Sequence, residues 1–336
     1  MHVVQILDQG SWREFVDNHP FGNIFHTPEM FEVFYHTYGH TPEIWAVIKD
    51  HDLLALFLPV RISLRSGILK KVTTRAVVYG SVLCAPEVEA QESLSLLLRT
   101  YKRETGQLSL FTELRNLSPL DELKPILLKE EFYYQDHLNY LIKLDCPPET
   151  VFQNIGRRTR KNIRHGLNQG KVTIEEVKKQ EGIDDCYNLI SNTYKAARVP
   201  LPDHSLFTTA FEVLYPKGMI RFSLARVSGI PVAVSVELLY KDVIYGWYSG
   251  MDRTFSAYSP NELLMWNILE WGAMNGYRVY DFGGAGNPNE DYGVRDFKAK
   301  FGGKLVCYGR NTWVPNRILF GLSKIGYNLY RQVIYN

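Results

Sequence analysis

The residues best suited to chemistry lie in YDFGGAGNPNEDYGVRDFKAKFGG, residues 280–303. This stretch opens like a buried strand, breaks into a loop rich in Gly, Asn and Pro, and resumes as a short basic helix carrying Phe297 and Lys298. A fixed ammonium beside an aromatic ring, next to glycines that admit close approach, can stabilise an oxyanion without a nucleophilic serine or a metal. Asp281 ends the entering strand, where it can act as a general base, cap a turn or pair with an arginine. Glu113 is a second candidate carboxylate. It alternates with Arg115 in LSLFTELR, so both side chains share one side of a strand, as a surface ion pair or in a cleft.

Cations gather elsewhere. Five of the eight residues in RRTRKNIR, 157–164, are basic, with Ile163 and Leu167 as a narrow apolar stripe. Such runs are commonly solvated helix faces, but Arg160, Lys161 and Arg164 would equally form a phosphate-binding patch. Arg198, in YKAARVPLPDHS, ends a helix at a proline-punctuated loop, where it either favours the helix terminus or meets a substrate. Tyr248 and Tyr258, with Trp247, are candidates to line a groove for a sugar or base, against the ordinary role of strand aromatics as core.

Other chemistries lack their signatures. GGAG at 283–286 follows a strand but is neither GxGxxG nor GxxxxGK[ST], and no GxSxG is present. His36 and His40 stand four apart without an HExxH pattern, and Gly39 interrupts their helix. Cys84, Cys146, Cys186 and Cys307 form no CxxC pair, which favours reduced, packed thiols over a disulfide framework or a zinc site.

The elements that must position these residues follow from local signals. SWRE at Ser11–Glu14 reads as a capping box, and Thr27 with Pro28 opens a helix that Gly39 ends. WAVIKDHDLLALFLPV reads as a hairpin about Asp50–Asp52. Strand 76–84, helix 87–104, strand 108–114, helix 120–130 and strand 137–144 complete a mixed α/β domain. Two prolines in DCPPETVF place a boundary near residue 146. Beyond it come the basic helix, strand VTIEEV and helices near 183–197 and 205–214. Three antiparallel strands follow, turning at Ser228–Gly229 and Lys241–Asp242, then helix NELLMWNILEWGAMNG and strand YRVYDFGG. Strand, polar turn, strand, helix, strand thus occurs twice, as in a duplicated fold. Helical spacing in NRILFGLSKIGYNLYRQVI predicts a closing helix with one apolar face.

A chain of 336 residues suits two domains. With 45% hydrophobic and 22% charged residues it has globular composition, and it contains no apolar run of the roughly 20 residues a membrane helix needs. The N-terminal sequence lacks the features of an export signal, so a cytoplasmic location is expected. A net charge of +2 supplies no global attraction to polyanions, so contact with one would depend on a local patch.

RRTRKNIRHGLNQGKVTIEE, YDFGG and FKAKFGG, in this order and spacing, resemble the FemABX family of peptidoglycan interpeptide-bridge aminoacyltransferases. NIFHTPEMFEVF is similar to the opening of related GNAT-type acyltransferase domains. The resemblance covers nearly the whole chain. It implies a mixed α+β (α/β) chain of two tandem GNAT-like domains, each a mostly antiparallel sheet flanked by helices. Residues 1–145 would form the first, completed by the terminal helix 315–336, and residues 146–314 the second. It further implies transfer of an amino acid from aminoacyl-tRNA, a co-substrate rather than a resident cofactor, to an amine of a UDP-linked or lipid-linked muropeptide. Such an acceptor would allow peripheral contact with the inner membrane face.

By the same resemblance Lys298, beside Phe297, belongs with the reacting ester, Arg198 with the acceptor's nucleotide phosphates, and Glu113 with the acceptor. Two departures stand out: a first-domain lysine that contacts acceptor phosphates in some relatives is replaced at or near Glu32, and the long helical hairpin insertion of others is missing. The rival donor is acyl-CoA, although FSAYSPNELL lacks the glycine of a [QR]xxGx[GA] pyrophosphate loop. A catalytically silent scaffold that binds an envelope glycan precursor is the reading from a different class.

Overall fold

A computed structural model describes residues 1–63, 73–86 and 88–323, which fall into two compact units. The first comprises Met1–Asp136 and Tyr308–Asn336, the second His137–Cys307.

The first unit has two sheets. Strands β1 (His2–Val4), β3 (Trp45–Lys49), β4 (Asp52–Phe57) and β7 (Leu83–Cys84) form one. The other runs β2 (His40–Pro42), β5 (Val60–Ser63), β6 (Thr74–Tyr79), β8 (Thr112–Arg115), β17 (Arg310–Trp313) and β9 (Tyr133–Gln135). The hairpin forms where its polar turn predicts: Lys49 pairs with Asp52, and Asp50 and His51 take φ of 48° and 80°, as two-residue turns matched to strand twist require. Thr27 caps the helix Pro28–Tyr35 by accepting from the Met30 N–H. The first helix starts three residues before the SWRE expectation, at Gln9, because Asp8 rather than Ser11 is the cap. The core centres on Tyr101 of the helix Val88–Thr105, whose ring meets Trp45, Phe57 and Trp313 edge-on.

The second unit is one seven-stranded sheet, ordered β11 (Val172–Glu176), β12 (Ile220–Val227), β13 (Ile230–Tyr240), β14 (Val243–Met251), β15 (Val279–Asp281), β10 (Leu138–Lys143) and β16 (Lys304–Cys307). Only β14 and β15 pair in parallel. The helix Pro260–Met274 between them is apolar nearly all round and packs its Ile268 and Leu269 into the core with Ile244, Leu144 and Phe301, as a fully covered helix should.

The duplication is visible in the pairing. The block β6-β8-β17-β9 of the first unit matches β14-β15-β10-β16 of the second: each begins with a parallel pair and continues with antiparallel ones. This corrects the expected boundaries. Residues 137–145 and 308–314 each change unit, because β10 completes the second sheet and β17 the first. A proline pair ends a strand but does not say which sheet that strand joins. After β17 the chain stays with the first unit through Phe320 on Phe111 and Arg317 on the Tyr133 hydroxyl. Most of the expected closing helix lies outside the described residues.

Candidate functional site

The glycine loop is held by side chains that sequence reasoning only partly identified. Asp281 Oδ1 accepts from Asn139 Nδ2 at 2.6 Å and from the Gly283 N–H at 2.7 Å. Asn139 Oδ1 in turn accepts from the Gly284 N–H at 2.9 Å and the Tyr140 N–H at 2.8 Å. Asn139 and Asp281 are both 5% exposed, so each bond stands in a low dielectric where its loss would leave an orphaned polar group. Asn139 gave no signal in the sequence, being one asparagine in an alternating strand. Gly283 takes φ of 74°, and a Cβ there would lie 2.8 Å from the Tyr245 hydroxyl. Glycine is required on both counts.

Lys298 approaches the loop from the short helix Gly293–Ala299. Its Nζ donates to Phe282 O at 2.7 Å and to Gly284 O, and lies 5.4 Å from the centre of the Phe282 ring. Burial lowers its pKa to about 8, against the opposing pull of Asp281. Burial raises the Asp281 carboxyl, with Asn139, the Gly283 N–H and Lys298 counteracting. One turn earlier Arg295 grips the same loop: Nε donates to Ala285 O at 2.9 Å, and the guanidinium also reaches Asn287 O. Two cations thus organise the loop carbonyls, and an ammonium with three N–H groups has spent two of them. Phe297 faces elsewhere. Its ring packs 5.2 Å from Phe301 in the core and anchors the helix, so it supports the site rather than lining it.

This loop leaves the sheet where two strands part. β14 and β15 pair from Val243–Val279 to Tyr245–Asp281, after which β14 continues to Met251 against β13 alone. In that continuation Val236 pairs with Tyr248 and Glu237 with Gly246, leaving Trp247 as the bulged residue. Such bulges take a peptide group out of the ladder and re-aim it.

The other candidates are dispersed. Tyr248 packs on Phe207 at 4.9 Å and Tyr194 at 5.8 Å, whereas Tyr258 lies in a different cluster with Phe255, 5.7 Å from Lys171 Nζ. They do not share one groove wall. Arg198 is exposed directly after the helix Gly182–Ala196, at φ of 56°, a conformation uncommon for non-glycine residues. The basic helix Arg157–Gln169 buries Thr159, Ile163 and Gly166, and Leu167 is 57% exposed, so the expected Ile163–Leu167 stripe is corrected. Gly166 sets this face, since a Cβ there would meet Leu263 at 2.8 Å. Arg164 covers the Phe152 ring at 5.1 Å. Among the described residues Arg160, Lys161 and Arg164 make no ion pair, so their charge is not neutralised by neighbours.

Glu113 belongs to the first unit and is already engaged. Arg115 Nε bonds its Oε1 at 2.9 Å, and Arg310 reaches both oxygens at 3.2 Å. Burial works to raise its pKa, but Arg115 and Arg310 overcome this and hold it below the usual range. A carboxylate so held is a poor proton acceptor, and the expected assistance to the amine finds no support in this geometry.

Residues 154–298 match the family described as Acetyltransferase (GNAT) domain. The crystal structure of FemX superposes with a TM-score of 0.73 at 15% identity, over 96% of this chain and 99% of FemX. A tandem GNAT protein from the clavulanic acid biosynthesis pathway gives 0.60 at 10% identity, over 94% and 98%. The C-terminal domain of a putative lysylphosphatidylglycerol synthetase from Agrobacterium fabrum gives 0.59 at 12% identity, over 96% and 95%. No curated protein matches by sequence. The chain has a FemABX-like tandem GNAT fold, and its residues 154–298 are similar to a GNAT acetyltransferase domain.

Proposed function

We propose that the protein is an aminoacyltransferase that moves an amino acid from aminoacyl-tRNA to an amine of a cell-wall muropeptide or related envelope precursor. The observation that carries this reading is the desolvated ammonium of Lys298, held at the opening between β14 and β15 with one N–H uncommitted.

In this reading the acceptor nitrogen attacks the ester carbonyl carbon and forms the N–C bond. Negative charge gathers on the carbonyl oxygen, where the remaining Lys298 N–H and the displaced peptide at Trp247 stabilise it. The C–O bond then breaks, the ribose oxygen leaves and is protonated, and the nitrogen loses a proton as the amide forms. The ester is already activated, so orientation and charge stabilisation suffice. Asp281 acts through the loop, by holding the backbone that Lys298 grips. Arg160, Lys161 and Arg164 provide an unneutralised face for tRNA phosphates, and Arg198 serves the acceptor.

Acyl-CoA is the second reading for the donor, favoured by the match to an acetyltransferase domain. Incubation with charged tRNA or acetyl-CoA and candidate precursors, with the product weighed by mass spectrometry, separates the two. Transfer abolished by RNase supports the tRNA donor. Undiminished transfer from acetyl-CoA after RNase would sink it.

A further inference from the structure

Two rungs of the β12–β13 ladder, Arg221 opposite Glu237 and Ser223 opposite Ser235, set four polar side chains on one face of the second sheet. Ser223 and Glu237 are each 1% exposed. Trp271 covers the block, its ring 4.4 Å from the Arg221 guanidinium. Yet Arg221 Nε, Ser223 Oγ, Ser235 Oγ and Glu237 Oε2 are all buried without a hydrogen-bond partner. A buried polar group left in this state costs about 1–3 kcal/mol, and native structures rarely gather several in one place.

The Tyr280 phenol closes the block on the β14 side. Opposite Glu237 on β14 stands Gly246, and a Cβ there would lie 2.6 Å from the Tyr280 hydroxyl. The phenol therefore occupies the side-chain space of Gly246 and faces the same block. Charged and titratable groups reach Glu237 from three strands: Arg221 of β12, Tyr280 of β15 and, through its 2.6 Å bond to Arg221, Glu176 of β11. The covering helix contributes the uncharged Trp271. Burial pushes Glu237 up to about 8, with Ser235 and Arg221 offsetting only part of it. Ser235 stands near the carboxyl without reaching hydrogen-bond geometry.

We propose that this block is an internal hydration site, where buried water joins Arg221 Nε, Ser223 Oγ, Ser235 Oγ and Glu237 Oε2. A buried water takes about 2–4 polar partners, so one or two molecules would satisfy the four atoms. The site lies one rung past the last β14–β15 pair, at Gly246. It places an exchangeable proton within the sheet behind the opening.

Infrared difference spectroscopy of the intact protein against Glu237→Gln tests this without any activity readout. Expected at pH 6 is a carboxylic-acid C=O band at a hydrogen-bonded frequency, absent from the variant and shifted in D2O. Carboxylate bands alone would mean an ionised pair with Arg221, and a band at the free-acid frequency would mean a dry pocket; either overturns the proposal. Should Glu237→Gln fail to fold, the Ser223→Ala, Ser235→Ala double variant substitutes. Its band should move toward the free-acid frequency, and an unmoved band counts against the site.

Discussion

The Lys298 ammonium hydrogen-bonds the carbonyl of Gly284, 14 residues upstream, and so joins the short basic helix to the glycine loop. It also holds Phe282 O at 2.7 Å. The lysine therefore shapes the loop and presents charge beside it. Separating those two tasks requires a variant that keeps the charge.

Lys298→Met should lower turnover by about a hundredfold or more, the scale for losing one oxyanion donor. Lys298→Arg retains charge and donors but not the compact geometry, and should recover part of the loss. A change below threefold in the Met variant, measured as single-turnover transfer, would reject the role.

With a pKa lowered to about 8 by burial, Lys298 is charged at pH 7 and loses its proton as pH rises through 8. The transfer rate should therefore decline on the alkaline side from about pH 8. Arginine stays charged across this range, so Lys298→Arg should lack that limb in a pH–rate profile.

Glu237 has the opposite linkage to an ion-paired carboxylate. Its pKa rises from 4.5 to about 8 on folding, so between those values the unfolded chain is ionised while the folded protein keeps its proton. Stability should fall as pH rises through this window, by about 1.4 kcal/mol per pH unit from this group alone. Denaturant titrations should show this contribution missing in Glu237→Gln.

The unpaired cations on the helix Arg157–Gln169 should matter most at low salt. Replacing Arg160, Lys161 and Arg164 with alanine should reduce the slope of log affinity for tRNA against log salt by about 0.7–0.9 for each phosphate no longer neutralised. Filter binding over a salt series measures it, and an unchanged slope would rule this helix out of the proposed contact with tRNA.

Trp313 is 7% exposed and meets Tyr101 and Phe132 in the first core. Trp313→Ala should cost about 3–5 kcal/mol. Residues 1–136 expressed alone lack β17 and should show no cooperative melt by circular dichroism. A cooperative transition from that fragment would contradict the need for β17 in the first unit's sheet.

Much of the local structure was legible in the residues themselves. Turns at Asp50, at Ser228 with Gly229 and at Lys241 occur where short polar breaks separate apolar runs, all with positive φ. Thr27 and Pro28 mark their helix start, and the glycine loop and short cationic helix follow their strand in the expected order. These signals are local because capping and turn formation involve residues only a few positions apart.

Partnership over long separations was decided by the tertiary structure. Alternation in HLNYLIKL shows a strand but not that it completes the second sheet, nor that Asn139 will meet Asp281, 142 residues away. LSLFTELR puts Glu113 and Arg115 on one side, yet Arg310 arrives from a distant strand and turns a candidate base into a committed ion-pair acceptor. Nothing in SVELLY sets Glu237 apart from a surface glutamate. A side chain's pattern specifies which way it points, whereas its pKa and its partners depend on what the rest of the chain packs against it.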